Sequence, residues 1–369
     1  MNQYQKDEFE LQEQKLDFTE IRLSPMSDKD IIIKGNQKMG KLKIGMVGMG
    51  FIADWHWKGF SQNPDAEITG MCNGSLDDDQ KATKLELLHE KCIDLGIKAY
   101  DSFESMVTDP EFDALIIGSI NPFHFPQIKL AIENGKHIMV EKPVVTDFNQ
   151  LDEIRKFSEE KGIKIFPAHN FVYRKAVRKA KEIIDAGKLG QIIHSSFIVA
   201  HTISETHSKG WRGIKALGTG GTLIDSGHHL IYQSLYLLGK PEKLQSFKSK
   251  MVLKNMECED TAQVSLLYPD GSMAVIMQSW TSDHAGMING IRIFGTEGSL
   301  VITDDLYFNE EKMNLEADYL NSFVNQANAF SDYILKDIPP GSGLDDVRDT
   351  LNITFGAYES AEKDIVIII

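Results

Sequence analysis

Cysteine is scarce. The 369 residues hold three, Cys72, Cys92 and Cys258, with no CxxC spacing. So few and so dispersed, they exclude a disulfide framework and a structural zinc site. No run of about 18 apolar residues occurs, so no membrane-spanning helix is expected. The opening stretch MNQYQKDEFELQEQKLDF lacks the basic start and apolar middle of a signal peptide, which points to the cytoplasm. Positive charge is also short: 39 Lys and Arg stand against 54 Asp and Glu, a net charge of -15. Such a field repels nucleic-acid phosphates and anionic membrane surfaces, so neither is expected as a partner. A phosphate-bearing cofactor would need a local backbone site to overcome it. What remains, 42% hydrophobic and 25% charged, is ordinary for a globular chain of two domains.

Residues 1–41 read as a charged extension. Its apolar residues, Phe18, Ile21, Leu23 and Ile31 to Ile33, allow either a flexible tail or an arm on a partner subunit. From 42 to 167 apolar strands alternate with helical stretches: strands at 42–47, 66–72, 114–118 and 137–140, helices at 51–62, 79–95 and 126–134. That alternation implies βαβ units and a parallel sheet. After 168 the rhythm changes. Helices are expected at 174–186, within 220–238, at 319–334 and at 344–362. Strands are expected at 192–201, 244–253, 261–268, 273–281, 291–294 and 299–303. Successive strands broken by Pro-Asp-Gly and Gly-Thr-Glu-Gly turns suggest a mostly antiparallel sheet in residues 168–369.

Gly48-Met-Gly50-Phe51-Ile52-Ala53 matches GxGxxG/A between a strand and a helix. There Gly48 permits the tight turn, Gly50 lets a pyrophosphate approach the backbone, and Ala53 lets helix and strand pack closely. The helix N-terminus adds amide donors and partial positive charge. An acid that grips the adenosine ribose should end the second strand; Asn73 stands there, followed by Ser75 and three aspartates. Those aspartates repel a 2′-phosphate, which favours NAD over NADP. Asn121-Pro122 and Glu141-Lys142-Pro143 follow two further strands, at the ends where open parallel sheets bind ligands. Lys142 is thereby aimed at the crevice that would hold a nicotinamide.

These motifs, with His124, Gly135-Lys136-His137, Gly187-Lys188-Leu189-Gly190, Trp211-Arg212 and Gly220-Gly221-Thr222-Leu223-Ile224-Asp225-Ser226-Gly227-His228-His229, resemble the glucose–fructose oxidoreductase/inositol dehydrogenase/MocA family over residues 42–369. The resemblance implies a Rossmann domain plus a domain with a large open sheet, often an oligomer interface, hence a homo-oligomer, dimer or tetramer. It implies oxidation or reduction of a secondary alcohol on a sugar, glycoside or cyclitol. It maps the catalytic lysine to Lys142 and the acid and imidazole of the DxGxH motif to Asp225 and His229, with a Lys142–Pro143 bond that is often cis. Departures are Thr219 in place of the first glycine of GGG, Asn73, and Arg174-Lys175-Ala176-Val177 in place of Arg-Phe-x-Pro.

The candidate nucleotide contacts are therefore Gly48, Gly50, Phe51, Ile52, Ala53, Asn73, Ser75, Asn121, Pro122, His124, Glu141 and Lys142. The candidate substrate contacts are Asn170, Tyr173, Arg174, Trp211, Arg212, Asp225 and His229, since aromatic rings pack on sugar faces and Arg donates to hydroxyls. Asp225 and His229 are four apart; on one helix they share a face, and the carboxylate would orient the imidazole. His229 would then take the hydroxyl proton while Lys142 stabilises the developing alkoxide. His228 reads as packed. His201, His207, Asp225, His228 and His229 match no zinc spacing, and no metal is expected. Two other readings compete: an NAD-dependent glycosidase working through a 3-keto sugar, and a dinucleotide-sensing regulator, which would need no proton-transfer set.

Overall fold

The computed structural model describes residues 40–74, 81–282, 288–315 and 319–369. The extension up to residue 39 and the candidate Ser75 lie outside them. The first half builds a parallel sheet in the order β3-β2-β1-β4-β5-β6. Its strands are β1 (Leu42–Val47), β2 (Ala66–Cys72), β3 (Lys98–Tyr100), β4 (Ala114–Ile117), β5 (His137–Val140) and β6 (Ile165–Pro167). The central β4 is buried throughout, as a strand covered on both faces must be. Helices α1 (Phe51–Phe60), α2 (Lys81–Leu95), α3 (Phe103–Val107), α4 (Asn121–Glu133) and α5 (Phe148–Lys161) connect them. The order reverses between β1 and β4, which opens a crevice at their C-terminal ends.

α4 begins five residues before the expected start, because Pro122 occupies its first turn, where a missing N–H costs nothing. α5 was not expected at all. Asp147 caps it, its carboxylate accepting from Asn149 N and Gln150 N, and Gly162 closes it in the left-handed region at φ 66°.

The second half begins with α6 (Lys175–Asp185) and β7 (Ile192–Ala200). Three short helices follow, α7 (Glu205–Lys209), α8 (Lys215–Gly218) and α9 (Thr222–Asp225), and then the longer α10 (Gly227–Leu238). Then come β8 (Lys243–Ser249), β9 (Thr261–Leu267), β10 (Met273–Ser279), β11 (Gly290–Gly295), β12 (Ser299–Ile302), β13 (Leu306–Phe308), β14 (Glu311–Lys312), α11 (Tyr319–Lys336), α12 (Leu344–Lys363) and β15 (Ile367–Ile368). The sheet order is β14-β13-β12-β11-β7-β10-β9-β8-β15, antiparallel except for β7 beside β10. One face is packed on α10 and α12 in a core that includes Phe197, Val264, Ile276, Ile231 and Ile353. Among the described residues nothing packs on the other face, and β8 and β9 alternate buried and outward residues accordingly.

The last two helices return to the first sheet. Phe330 of α11 joins the core of Ile44, Met46 and Phe166, and Val347 and Leu351 of α12 join that of Ile117, Ile138 and Leu151. Among the described residues no helix is long and apolar enough to cross a membrane.

Candidate active site

A cleft runs along the crevice between β1 and β4 and is walled on its far side by the second half of the chain. Its floor is the glycine loop. Gly48 takes φ 103°, and a Cβ there would meet Gly118 O at 2.7 Å. Gly50 starts α1 with no side-chain cap, and a Cβ on it would meet nothing within 4 Å. A side chain would fill that free space, so its absence leaves a cradle for a pyrophosphate at a helix N-terminus, and these residues fit a dinucleotide. Phe51, Ile52, Asn73, Asn121, Glu141 and Lys142 share the wall.

Three of the candidate nucleotide contacts stand elsewhere. Ala53 is buried among Leu42, Ile44 and Met46, where it packs α1 on the sheet. Pro122 is exposed on the first turn of α4, outside the cleft wall. His124 is fully buried; its ring nitrogens lie 2.8 Å from Pro143 O and 2.9 Å from Ser119 O, so it ties together the two loops that carry Lys142 and Asn121.

Lys142 ends β5, and its peptide bond to Pro143 is cis. Its Nζ donates to Asp225 Oδ1 at 2.8 Å and to Asp225 O at 3.0 Å. Arg212 Nε donates to the other carboxylate oxygen at 3.0 Å, and its guanidinium lies 4.3 Å from the Trp211 ring. Burial opposes ionisation of Asp225, but the charges of Lys142 and Arg212 outweigh it and hold the carboxyl far below the usual range. Glu141 stays on the opposite side, its Oε1 2.8 Å from His56 Nε2.

The expected pairing of Asp225 with His229 does not form. Backbone helix breaks at Ser226, so Asp225 closes α9 while His229 belongs to α10. The carboxylate faces the two cations, and His229 Nδ1 instead lies 2.7 Å from Tyr232 Oη. That hydroxyl also accepts from Phe171 N at 3.2 Å and faces Asn170 Oδ1 at 3.4 Å. The Tyr232 ring stacks on His169 at 4.2 Å, and Phe171 covers His229 at 4.6 Å. Burial, then the charge of Lys142, hold the His229 imidazole well below its ordinary pKa, with Asp225 opposing in part.

Asn170, Trp211, Arg212, Asp225 and His229 all reach the cleft, and Tyr173 and Arg174 do not. Tyr173 is fully buried, stacked on Phe166 with its hydroxyl accepting from Gly341 N at 3.0 Å. Arg174 lies over the Phe171 ring and reaches towards Thr303 O. Helix α6 starts at Lys175, which turns both residues into the interface behind the wall.

Gln278, Trp280 and Tyr319 line the cleft without a sequence signal that singled them out, and His207, weighed in the sequence only within the rejected metal set, lines it too. His207 sits edge-on to Trp280 at 6.0 Å; burial and then Arg212 lower its pKa to about 4. His228 is fully buried, as read.

Residues 42–169 match the model of an oxidoreductase family with an NAD-binding Rossmann fold, and residues 177–301 match that of the GFO/IDH/MocA C-terminal domain. The chain is 23% identical over 346 residues to myo-inositol 2-dehydrogenase of Thermotoga maritima, covering 87% of this chain and 97% of the relative. It is 27% identical over 215 residues to D-glucoside 3-dehydrogenase of Escherichia coli, 57% of each. Its fold is that of levoglucosan dehydrogenase solved with NADH and levoglucosan, at a TM-score of 0.76 and 20% identity, covering 89% of this chain and 99% of the other. With the glycine cradle, the strand-end lysine and matches spanning both sheets, the chain belongs to the GFO/IDH/MocA family of NAD-binding oxidoreductases.

Proposed function

We propose that this protein is an NAD-dependent dehydrogenase that oxidises a secondary hydroxyl of a sugar, glycoside or cyclitol, with Lys142 polarising the oxygen and His229 taking its proton. The observation that carries the reading is one wall: Lys142, held by Asp225, and His229 line the same cleft as the glycine cradle. Activities named for the relatives, on inositol and on a glucoside, are also oxidations of a polyol CH–OH, which supports the substrate class.

An ammonium has three donors. Asp225 takes two of Lys142's, one on its carbonyl and one on its carboxylate, so one is left for a substrate oxygen. The salt bridge also fixes the direction in which that donor points, and a fixed donor aimed at developing alkoxide needs no reorganisation during reaction. His229 is neutral across the working range because burial disfavours its charged form. With Nδ1 occupied by Tyr232, Nε2 is the nitrogen available to the hydroxyl. For Nε2 to act as base, the ring proton sits on Nδ1 and donates to Tyr232 Oη, whose own proton turns to Asn170 Oδ1. NAD, when bound, accepts the hydride that leaves carbon. Trp211, Phe171 and Tyr319 supply apolar surface for the sugar faces.

We further propose that the open face of the large sheet carries a homo-oligomer contact: Phe247 on β8 and Met273 on β10 stand more than half exposed there.

The test is a panel of polyols and aryl glycosides with NAD, read by the absorbance of reduced cofactor. Lys142→Met is expected to retain NAD binding and to lose turnover by about 10²–10⁴-fold. Turnover at the parent rate in that variant would overturn the assignment. Release of an aglycone with no reduced cofactor accumulating would move the protein to the glycosidase reading.

A further inference from the structure

The four-residue helix α9 is too short to hold itself, yet Asp225 at its end fixes Lys142. Its N-cap, Gly221, has no side chain to offer. The missing cap comes from Glu259, which lies just before β9 and is 6% exposed. Glu259 Oε1 accepts from Leu223 N at 3.0 Å and from Gly221 N at 3.2 Å, and Oε2 also lies 3.2 Å from Gly221 N. Glu259 O accepts from Thr222 N at 3.1 Å. A Cβ at Gly221 would meet that carbonyl at 2.0 Å, so the two backbones touch. From α12, Tyr358 Oη donates to Glu259 Oε1 at 2.8 Å; burial, and then the neighbouring carboxylate, hold this phenol well above its ordinary pKa, so it remains a donor. Among the described residues no lysine or arginine forms an ion pair with Glu259. Its hydrogen bonds go to the start of α9 and to Tyr358. Lys142 binds the other end of the same helix, through the Asp225 carbonyl and carboxylate.

We propose that Glu259 is a positioning residue for the reaction: through α9 it sets where Asp225, and therefore the Lys142 ammonium, stands. The proposal rests on the function assigned above to Lys142. Because Oε1 meets Leu223 N, Gly221 N and Tyr358 Oη, an amide at this place keeps the acceptor that all three share and gives up only the second contact, of Oε2 with Gly221 N. Glu259→Gln is therefore the conservative variant that rescues, and Glu259→Ala removes the cap.

Steady-state kinetics on a polyol that turns over, with NAD titrated separately, tests this. Glu259→Ala is expected to lower kcat by about thirtyfold while NAD affinity stays close to the parent, and Glu259→Gln to stay within about threefold in kcat. In an Asp225→Asn background, Glu259→Ala should cost less than about threefold, because the charge through which α9 holds Lys142 is already removed and only the weaker contacts to neutral oxygens are left to disturb. If Glu259→Ala does not fold, Glu259→Asp, one methylene short with its charge kept, takes its place under the same expectation. Parent-like kcat in the variant, an undiminished loss in the Asp225→Asn background, or a fall in NAD affinity in step with kcat each overturns the proposal. The two readings fail separately: active Lys142→Met rejects the role of Lys142, whereas dead Lys142→Met beside fully active Glu259→Ala rejects only the role of Glu259.

Discussion

The acid–base work proposed for this site depends on keeping imidazoles neutral, and that gives it a pH signature. The ordinary histidine pKa is 6.5, and His229 lies well below it in the folded protein. In the proposed reaction its neutral form is the base, so kcat/KM for oxidation should hold level as pH falls through 6.5 and decline only below it. A pH profile whose acid limb is centred at 6.5 or higher would contradict this burial-driven shift. Stability follows the same groups. His169 and His207 are lowered to about 3 and about 4, chiefly by burial. In the unfolded chain these imidazoles bind protons below 6.5, and in the folded one they do not. Their stabilising contribution is therefore complete above pH 6.5 and is lost progressively as pH falls from 6.5 towards 4. Thermal melting of the protein across that window should show a steady drop, and a flat melting temperature would count against neutral burial. Tyr232→Phe keeps the ring stacked on His169 and removes only the hydroxyl that meets His229 Nδ1. It should lower kcat for oxidation by about tenfold or more with little change in NAD affinity, measured by the same absorbance assay and a fluorescence titration.

Secondary-structure elements divide into those written in local pattern and those made by distant partners. The longer strands and the glycine loop were legible, because an apolar or alternating run marks a strand and a tight turn needs glycine; β3, β6, β13, β14 and β15, two or three residues each, leave too little pattern to read. Helix α5 had a local signal in Asp147 and Gly162, which a search for apolar period alone passes over. The break between α9 and α10 had none, since Asp225 and His229 sit at helical spacing whether or not the helix continues. What differs is their partners: Asp225 is held by Lys142, 83 residues away, and the start of α9 by Glu259, 38 residues from Gly221. Tyr173 and Arg174 misled for the converse reason: polar side chains near a junction look available for substrate until a neighbouring helix turns them inward. At the glycine loop the prediction is sharp. Gly48→Ala places a Cβ against a backbone carbonyl at positive φ, so it should cost at least about 1 kcal/mol of stability and weaken NAD binding about tenfold or more, read by melting and by fluorescence titration. Parent-like affinity in that variant would show that the loop does not form the cradle.

At the scale of the molecule, the nine-stranded sheet shields one face with helices and, among the described residues, leaves the other bare. Phe247 and Met273 stand 59% and 56% exposed on that bare face, beside the less exposed Met277 and Ile198. Light scattering on the parent should report a dimer or tetramer, and Phe247→Asp with Met273→Asp should shift it to a smaller species while leaving the cleft intact. A parent that is monomeric at micromolar concentration would remove the sheet face as a contact.

Lys142 is delivered by the first sheet and Asp225 by a helix that leans on the second, and helices α11 and α12 then cross back to brace the first. No contiguous half of the chain therefore owns the reaction centre. Turnover becomes a gauge of whether the two halves have docked, and a piece ending near residue 167 would carry the glycine cradle and the ammonium with neither the carboxylate to steer it nor the imidazole to receive a proton.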